Sequence, residues 1–288
     1  MERHEFHAMG TEVELMLDLH PGPATEHAFR EVEAEFGRIE AALSRFLPDS
    51  ELSALNRTGT VKAGPDLLAA TELALAARRR TGGRFDPTVH DALVAAGYDR
   101  SFEQVPADRR TTNGTESHSC GGPVEIDRFT RTIKLAAGVR LDLGGIGKGY
   151  AVDRAAERLS RVGPCLVNAG GDVAVRGRRW PVGVETANGF VTLELVSGAL
   201  ATSGRDRRHW RRNGEEQHHL IDPETGRPSS SDLLRVTIVG SSAAEAEVLA
   251  KSLFLAGEEQ ATLEAEREGV AAVFVTGAGR TVMTGALA

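Results

Sequence analysis

Apolar positions along the chain follow two rhythms. Residues 11–19, TEVELMLDL, alternate apolar and polar, which predicts a half-buried strand. Residues 24–43 change period: Ala28, Phe29, Val32, Phe36, Ile39 and Leu43 recur every three or four positions and predict an amphipathic helix. A second helix is expected from Asp66 to Arg80, stopped by Gly82 and Gly83. The segment DSELSALN, 49–56, predicts a short helix with Ser50 as N-cap. The polar stretch 99–123 predicts a surface loop. Strand patterns follow in VEIDRF, TIKLA and VRLDL, then a helix from about Gly149 to Val162 with Val152, Ala155, Ala156 and Leu159 inward. CLVNAG, WPVGVE, FVTLELV, ALATS and RVTIVG predict further strands. Helices over Ala243–Ala256 and 258–268 and a strand in AAVFVT complete the pattern. The fold class expected is α+β, with mixed, largely antiparallel sheets and packed helices, and no linker or repeat divides the 288 residues.

Composition narrows the function classes. With 41% hydrophobic residues, the chain can bury a sizeable core. A net charge of -7 argues against a general affinity for nucleic acid or anionic membrane. Cys120 and Cys165 form no metal or disulfide spacing. No apolar run approaches the roughly 20 residues of a membrane helix. The first residues show neither a signal-peptide core nor a lipid-attachment cysteine, so a cytoplasmic location is the expectation.

Chemistry concentrates in a few short stretches. In LDLGGIGKGYAVD, 141–153, an apolar step runs into Gly144, Gly145, Gly147 and Gly149 and then into a helix. Such a turn brings backbone N–H groups and a helix N-terminus to an anion, and Lys148 adds a full charge. The spacing is neither a P-loop nor GxGxxG, and a tight packing turn is the plain alternative. VNAGGDV ends a strand in paired glycines and Asp172. ATSGRDRRHWRR offers Thr202 and Ser203 as hydroxyl donors to phosphate or ribose, followed by five arginines best read as a solvated loop. HHLIDPETG places His219, a side chain suited to take a proton near neutral pH, before a turn set by Pro223 and Gly226. A structural histidine is the competing reading. AEVLAKSLFLAG, 246–257, carries Glu247 and Lys251 four residues apart on an otherwise apolar helix.

In order along the chain, AMGTEVEL, PDSELSALN, GRFDPTV, LDLGGIGKGYAVD, LVNAGGDVAVRG, ALATSG, HHLIDPETGRP and AEVLAKSLFLAG resemble the ApbE family, the FAD:protein FMN transferases. The resemblance implies a T-fold-like, two-lobed single domain over 1–288. It implies an enzyme that binds FAD as substrate, transfers its FMN half to a Ser or Thr hydroxyl of an acceptor protein, and releases AMP. An FAD diphosphatase or a non-catalytic FAD-binding protein are the alternatives. By matching motifs, His219 would be the catalytic base. Met9, Asn56, Asp86, Gly144, Lys148, Asp153, Thr202 and Ser203 would line the FAD pocket, and Asp172 would be structural or shape it. Acceptors in such a family are often membrane redox subunits, and relatives are often exported as lipoproteins.

The resemblance also implies Mg²⁺, held by the Gly145 carbonyl and by helix positions 247 and 251, where the family carries Asp and then Thr or Asp. Glu247 can still ligate. A protonated Lys251 has three donors and no lone pair, so it cannot. Three readings stay open. Lys251, held by Glu247, substitutes for the ion; the ion binds displaced through Glu247, Gly145 and water; or the site binds FAD without catalysis.

Overall fold

The computed structural model describes residues 1–109 and 118–287. The loop expected over 99–123 therefore lies partly, at 110–117, outside the described residues. In chain order the strands and helices are β1 (Glu2–Ala8), β2 (Thr11–Leu17), α1 (Pro23–Leu43), α2 (Glu51–Thr58), β3 (Thr60–Lys62), α3 (Pro65–Arg80), α4 (His90–Ala96), β4 (Asp108–Arg109), β5 (Val124–Asp127) and β6 (Thr132–Leu135). Then come α5 (Gly147–Ser160), β7 (Cys165–Ala169), β8 (Asp172–Arg176), β9 (Trp180–Thr186), β10 (Gly189–Leu195), β11 (Gly198–Gly204), β12 (His209–Arg212) and β13 (Glu215–His218). Last are β14 (Ile221–Asp222), β15 (Arg227–Pro228), β16 (Leu233–Gly240), α6 (Ala243–Ala256), α7 (Glu258–Glu268), β17 (Ala271–Thr276) and β18 (Thr281–Thr284). The chain divides into two compact units.

The first unit holds 1–40, 146–203 and 232–288. Its eight-stranded sheet runs β1-β2-β7-β8-β11-β16-β17-β18. Where registers are defined, neighbours pair antiparallel, as between β1 and β2, β2 and β7, and β16 and β17. Val13, Leu15 and Leu17 alternate into the core, as the period-2 pattern requires. On α1, Val32, Phe36 and Ile39 are fully buried. Glu35 is buried on the same helix and is held by Arg154 and Arg158 of α5. Burial opposes ionisation of Glu35, but these guanidinium groups outweigh it and keep the carboxyl below its usual value.

The second unit holds 41–145 and 204–231. It contains the sheets β3-β6-β5 and β13-β12-β4, the hairpin β14-β15, and helices α2, α3 and α4. Ser50 caps α2, its hydroxyl accepting from Ser53 N–H at 3.0 Å, as its sequence predicts. Leu52 and Leu55 are fully buried on that helix.

Two expectations are corrected. VRLDL, read as a strand, is extended chain without a ladder. A side chain replaces the neighbouring strand: Leu141 N–H donates to Asn56 Oδ1 at 2.7 Å, and Asn56 Nδ2 donates back to Leu141 O at 2.8 Å. Asp142 N–H is satisfied by Pro87 O. The helix expected from Gly149 begins two residues earlier, at Gly147. A further strand, β1, precedes the expected first one, its alternation hidden because two of its half-buried positions, Glu2 and His4, are polar.

Candidate functional site

Residues expected to bind flavin occur in both units. In the first unit the central device is the crossing of α5 on α6. A Cβ added at Gly149 would lie 2.6 Å from the backbone of Ala244, so only glycine permits this approach. The approach lets Gly149 N–H donate to Glu247 Oε2 at 3.0 Å. Asp153 caps the start of α6, accepting from Ala243 N–H at 2.7 Å and Ala244 N–H at 3.0 Å. Burial raises the Asp153 carboxyl above its usual value, while these two amides pull it down.

Around the crossing lies a compact charge cluster. Lys148 Nζ donates to Asp172 Oδ2 and, at 2.9 Å, to Glu247 Oε1. Both carboxylates are buried, at 2% and 6% side-chain exposure, so a partner cation is required there. Burial pushes the Asp172 carboxyl up to about 7 against the pull of Lys148; Glu247 raises it further and Lys251 lowers it. Lys251, one turn beyond Glu247 and half-buried, therefore lies within electrostatic range of Asp172. Asp172 is the residue that sequence reasoning underweighted. It is positioned by a two-residue turn, Gly170 at φ 62° and Gly171 at φ 101°, that starts β8 on the register Ala169↔Asp172.

Met9 occupies the matching turn between β1 and β2, with φ 54°, followed by Gly10 at φ 66°. A non-glycine residue in that region is strained, and such strain tends to gather at functional positions. Thr202 and Ser203 lie on β11 with opposite exposure: Ser203 is buried, while Thr202 is exposed and shares a 2.8 Å hydrogen bond with the Thr237 hydroxyl.

In the second unit, polar side chains hold backbone. Asn56 clamps Leu141, just ahead of the glycine turn. Asp142 Oδ1 accepts Gly144 N–H at 2.8 Å while its other oxygen holds Arg45 at 2.5 Å. Two amides of the glycine turn, Gly144 and Gly149, are thus engaged by protein carboxylates. Asp86 is buried; its Oδ1 accepts the Thr88 N–H and hydroxyl, each at 2.8 Å, and its Oδ2 pairs with Arg78 at 3.3 Å. Arg78 and Thr88 in turn bind the backbone of Gly121 and Gly122.

The paired histidines differ sharply. His218 is buried; Nε2–H donates to Ser229 O at 2.9 Å, and Nδ1 accepts Leu220 N–H at 3.2 Å. Those two partners require a neutral ring, and burial accordingly lowers its pKa. His219 is half-buried and has Nδ1 3.4 Å from Arg208 O. A carbonyl can only accept, so this long contact favours the Nδ1–H tautomer and makes Nε2 the basic nitrogen.

The donor set does not fit the Mg²⁺ site that the resemblance implies. Both Glu247 oxygens accept from N–H groups, Lys148 occupies Asp172, and position 251 presents an ammonium. Among the described residues, no three or more His, Cys, Asp or Glu side chains are grouped to hold an ion. No helix among them is long and apolar enough to cross a membrane.

The fold is shared with solved proteins over nearly its whole length. The ApbE protein of Thermotoga maritima superposes with a TM-score of 0.84 at 26% identity, covering 98% of this chain and 96% of that one. The apo flavinyl transferase ApbE of Pseudomonas stutzeri gives 0.82 at 26% identity, covering 98% and 94%. The FAD:protein FMN transferase of Haemophilus influenzae is 29% identical over 275 residues, which cover 87% of this chain and 79% of that protein. The sequence profile of the ApbE family matches residues 9–274. This chain belongs to the ApbE family.

Proposed function

We infer that the chain is an FAD:protein FMN transferase, modifying a Ser or Thr hydroxyl of an acceptor protein. The observation that carries this reading is the family match over residues 9–274, which takes in both the glycine turn and the HHLIDPETG step. In the reaction the acceptor oxygen forms a bond to the FMN phosphorus of FAD. The bond from that phosphorus to the bridging oxygen breaks, and AMP leaves with the bridging oxygen. Such a displacement requires a base for a weakly nucleophilic hydroxyl and positive charge for the phosphates.

His219 is the base in this reading. Its Nδ1–H, turned to Arg208 O, fixes the ring so that Nε2 receives the hydroxyl proton. His218 supports it: anchored at both ring nitrogens, it fixes the backbone from which His219 projects. Lys148 and Thr202 are the flavin ligands with chemistry aimed at phosphate or hydroxyl groups. Asn56, Asp86 and Asp153 act through the backbone that they hold. A metal ion, where a relative holds one, supplies charge neutralisation of the diphosphate, but no step here is assigned to it. The resemblance points to redox subunits of membrane complexes as acceptors.

Incubation with FAD and an acceptor protein, followed by intact-mass measurement, tests the function. The acceptor is expected to gain the mass of FMN with one AMP released per transfer. Free FMN with AMP and an unmodified acceptor would mean a diphosphatase, and unchanged FAD a binding protein; either result rejects the transferase.

A further inference from the structure

We propose that fixed ammonium groups, with Lys251 foremost, replace the divalent cation in this chain, so that it binds FAD and transfers flavin without a metal. The proposal rests on the transferase reading given above. Its basis is the charge balance of the cluster on α5, β8 and α6. Two buried carboxylates, Asp172 and Glu247, are bonded by Lys148, and Lys251 stands one turn beyond Glu247 on α6, within electrostatic range of Asp172. With Asp172 ionised beside Lys148, the four formal charges cancel. A dication added there would meet no surplus negative charge and would have to displace Lys148 from both carboxylates and Gly149 N–H from Glu247.

Position 251 decides the outcome. With Thr in its place the same cluster carries one net negative charge, and with Asp two. Either would offer a side-chain oxygen one turn from Glu247 on the same face of α6. Lysine removes the oxygen and neutralises the surplus charge in one substitution. An ammonium is also a compact point charge that suits phosphate oxygens. It comes covalently attached, so its occupancy does not depend on the concentration of an ion.

Two measurements on the intact protein test this. Thermal unfolding of the flavin-free protein is followed with rising Mg²⁺, and FAD affinity is measured in EDTA and in Mg²⁺. The chain as it stands is expected to show no Mg²⁺-dependent rise in Tm and the same FAD affinity in both buffers. Lys251→Thr should lose about tenfold in FAD affinity in EDTA, recover it in Mg²⁺, and gain a Mg²⁺-dependent rise in Tm. Lys251→Met should lose the affinity without recovery, and Lys251→Arg should keep it. The proposal is overturned if EDTA weakens FAD binding by the unmodified chain about tenfold, or if Lys251→Thr and Lys251→Met bind as it does in EDTA. Failure of every form, the unmodified chain included, to bind FAD would reject the transferase reading and with it the role of Lys251 toward FAD, while the response of Tm to Mg²⁺ separately decides whether the free protein takes up the ion.

Discussion

The two units differ in emphasis, although each also holds backbone through a carboxylate, Asp153 in the first and Asp142 in the second. In the first, full charges are gathered into a buried cluster, Lys148 between Asp172 and Glu247. In the second, neutral or singly charged side chains hold backbone: Asn56 on Leu141, Asp142 on Gly144, His218 between Ser229 and Leu220. The difference separates residues that set a field from residues that set a shape. A charge cluster can be altered in sign with the backbone left in place, whereas a backbone clamp can be weakened with net charge unchanged. Within the second unit, His219 departs from its neighbours, since its contact with Arg208 O is long and orients the ring.

That contrast predicts a ranking. The largest effect should come from His219→Ala, which removes the base: transfer in a single-turnover mass assay should fall about 10²–10⁴-fold with Tm little changed. A matching loss of Tm would show that His219 is one more clamp. Next, Glu247→Ala opens the cluster, removes one of the two carboxylates that Lys148 holds and strands the Gly149 amide. It should cost about 3–5 kcal/mol in urea unfolding, and Glu247→Gln, which can still accept both N–H groups, markedly less. Asn56→Ala leaves Leu141 N–H and O without their partner and should cost about 1–3 kcal/mol, with FAD affinity reduced in parallel. Equal destabilisation by Glu247→Gln and Glu247→Ala would erase the distinction between field and shape.

The smallest expected effect is a slope. His218 has its pKa lowered in the fold, so the unfolded chain takes up a proton first as pH falls. Its contribution is therefore intact above the unfolded value of about 6.5 and is lost progressively below it. His218→Phe should be less stable throughout, yet its stability should fall less steeply from neutral pH into the acid range. An unchanged slope would mean that the neutral ring is not enforced by its two partners.

Much of the secondary structure was legible because it depends on local period. The spacing on α1 and the cap of α2 are contained within a few residues. VRLDL was misread because its backbone partner is a side chain 85 positions away in sequence. The site was legible as a set of motifs but not as a set of pairings. Glu247 and Lys251 share a helix turn, which suggested that they pair. The bonds found for Glu247 instead run to Lys148 and Gly149, 99 and 98 positions away. Asp172, at the end of a common Gly-Gly turn, carried no sequence mark of its contact with Lys148, 24 positions away.

The Gly149–Ala244 approach has a mechanical consequence. Where two helices meet backbone to backbone, no compressible layer of side chains lies between them, and sliding one along the other meets hard repulsion at once. The Asp153 and Glu247 carboxylates fasten the same junction from both sides. The pair α5–α6 is thus a stiff strut, and whatever adjusts when a substrate arrives must be sought in the more loosely tied segments of the chain.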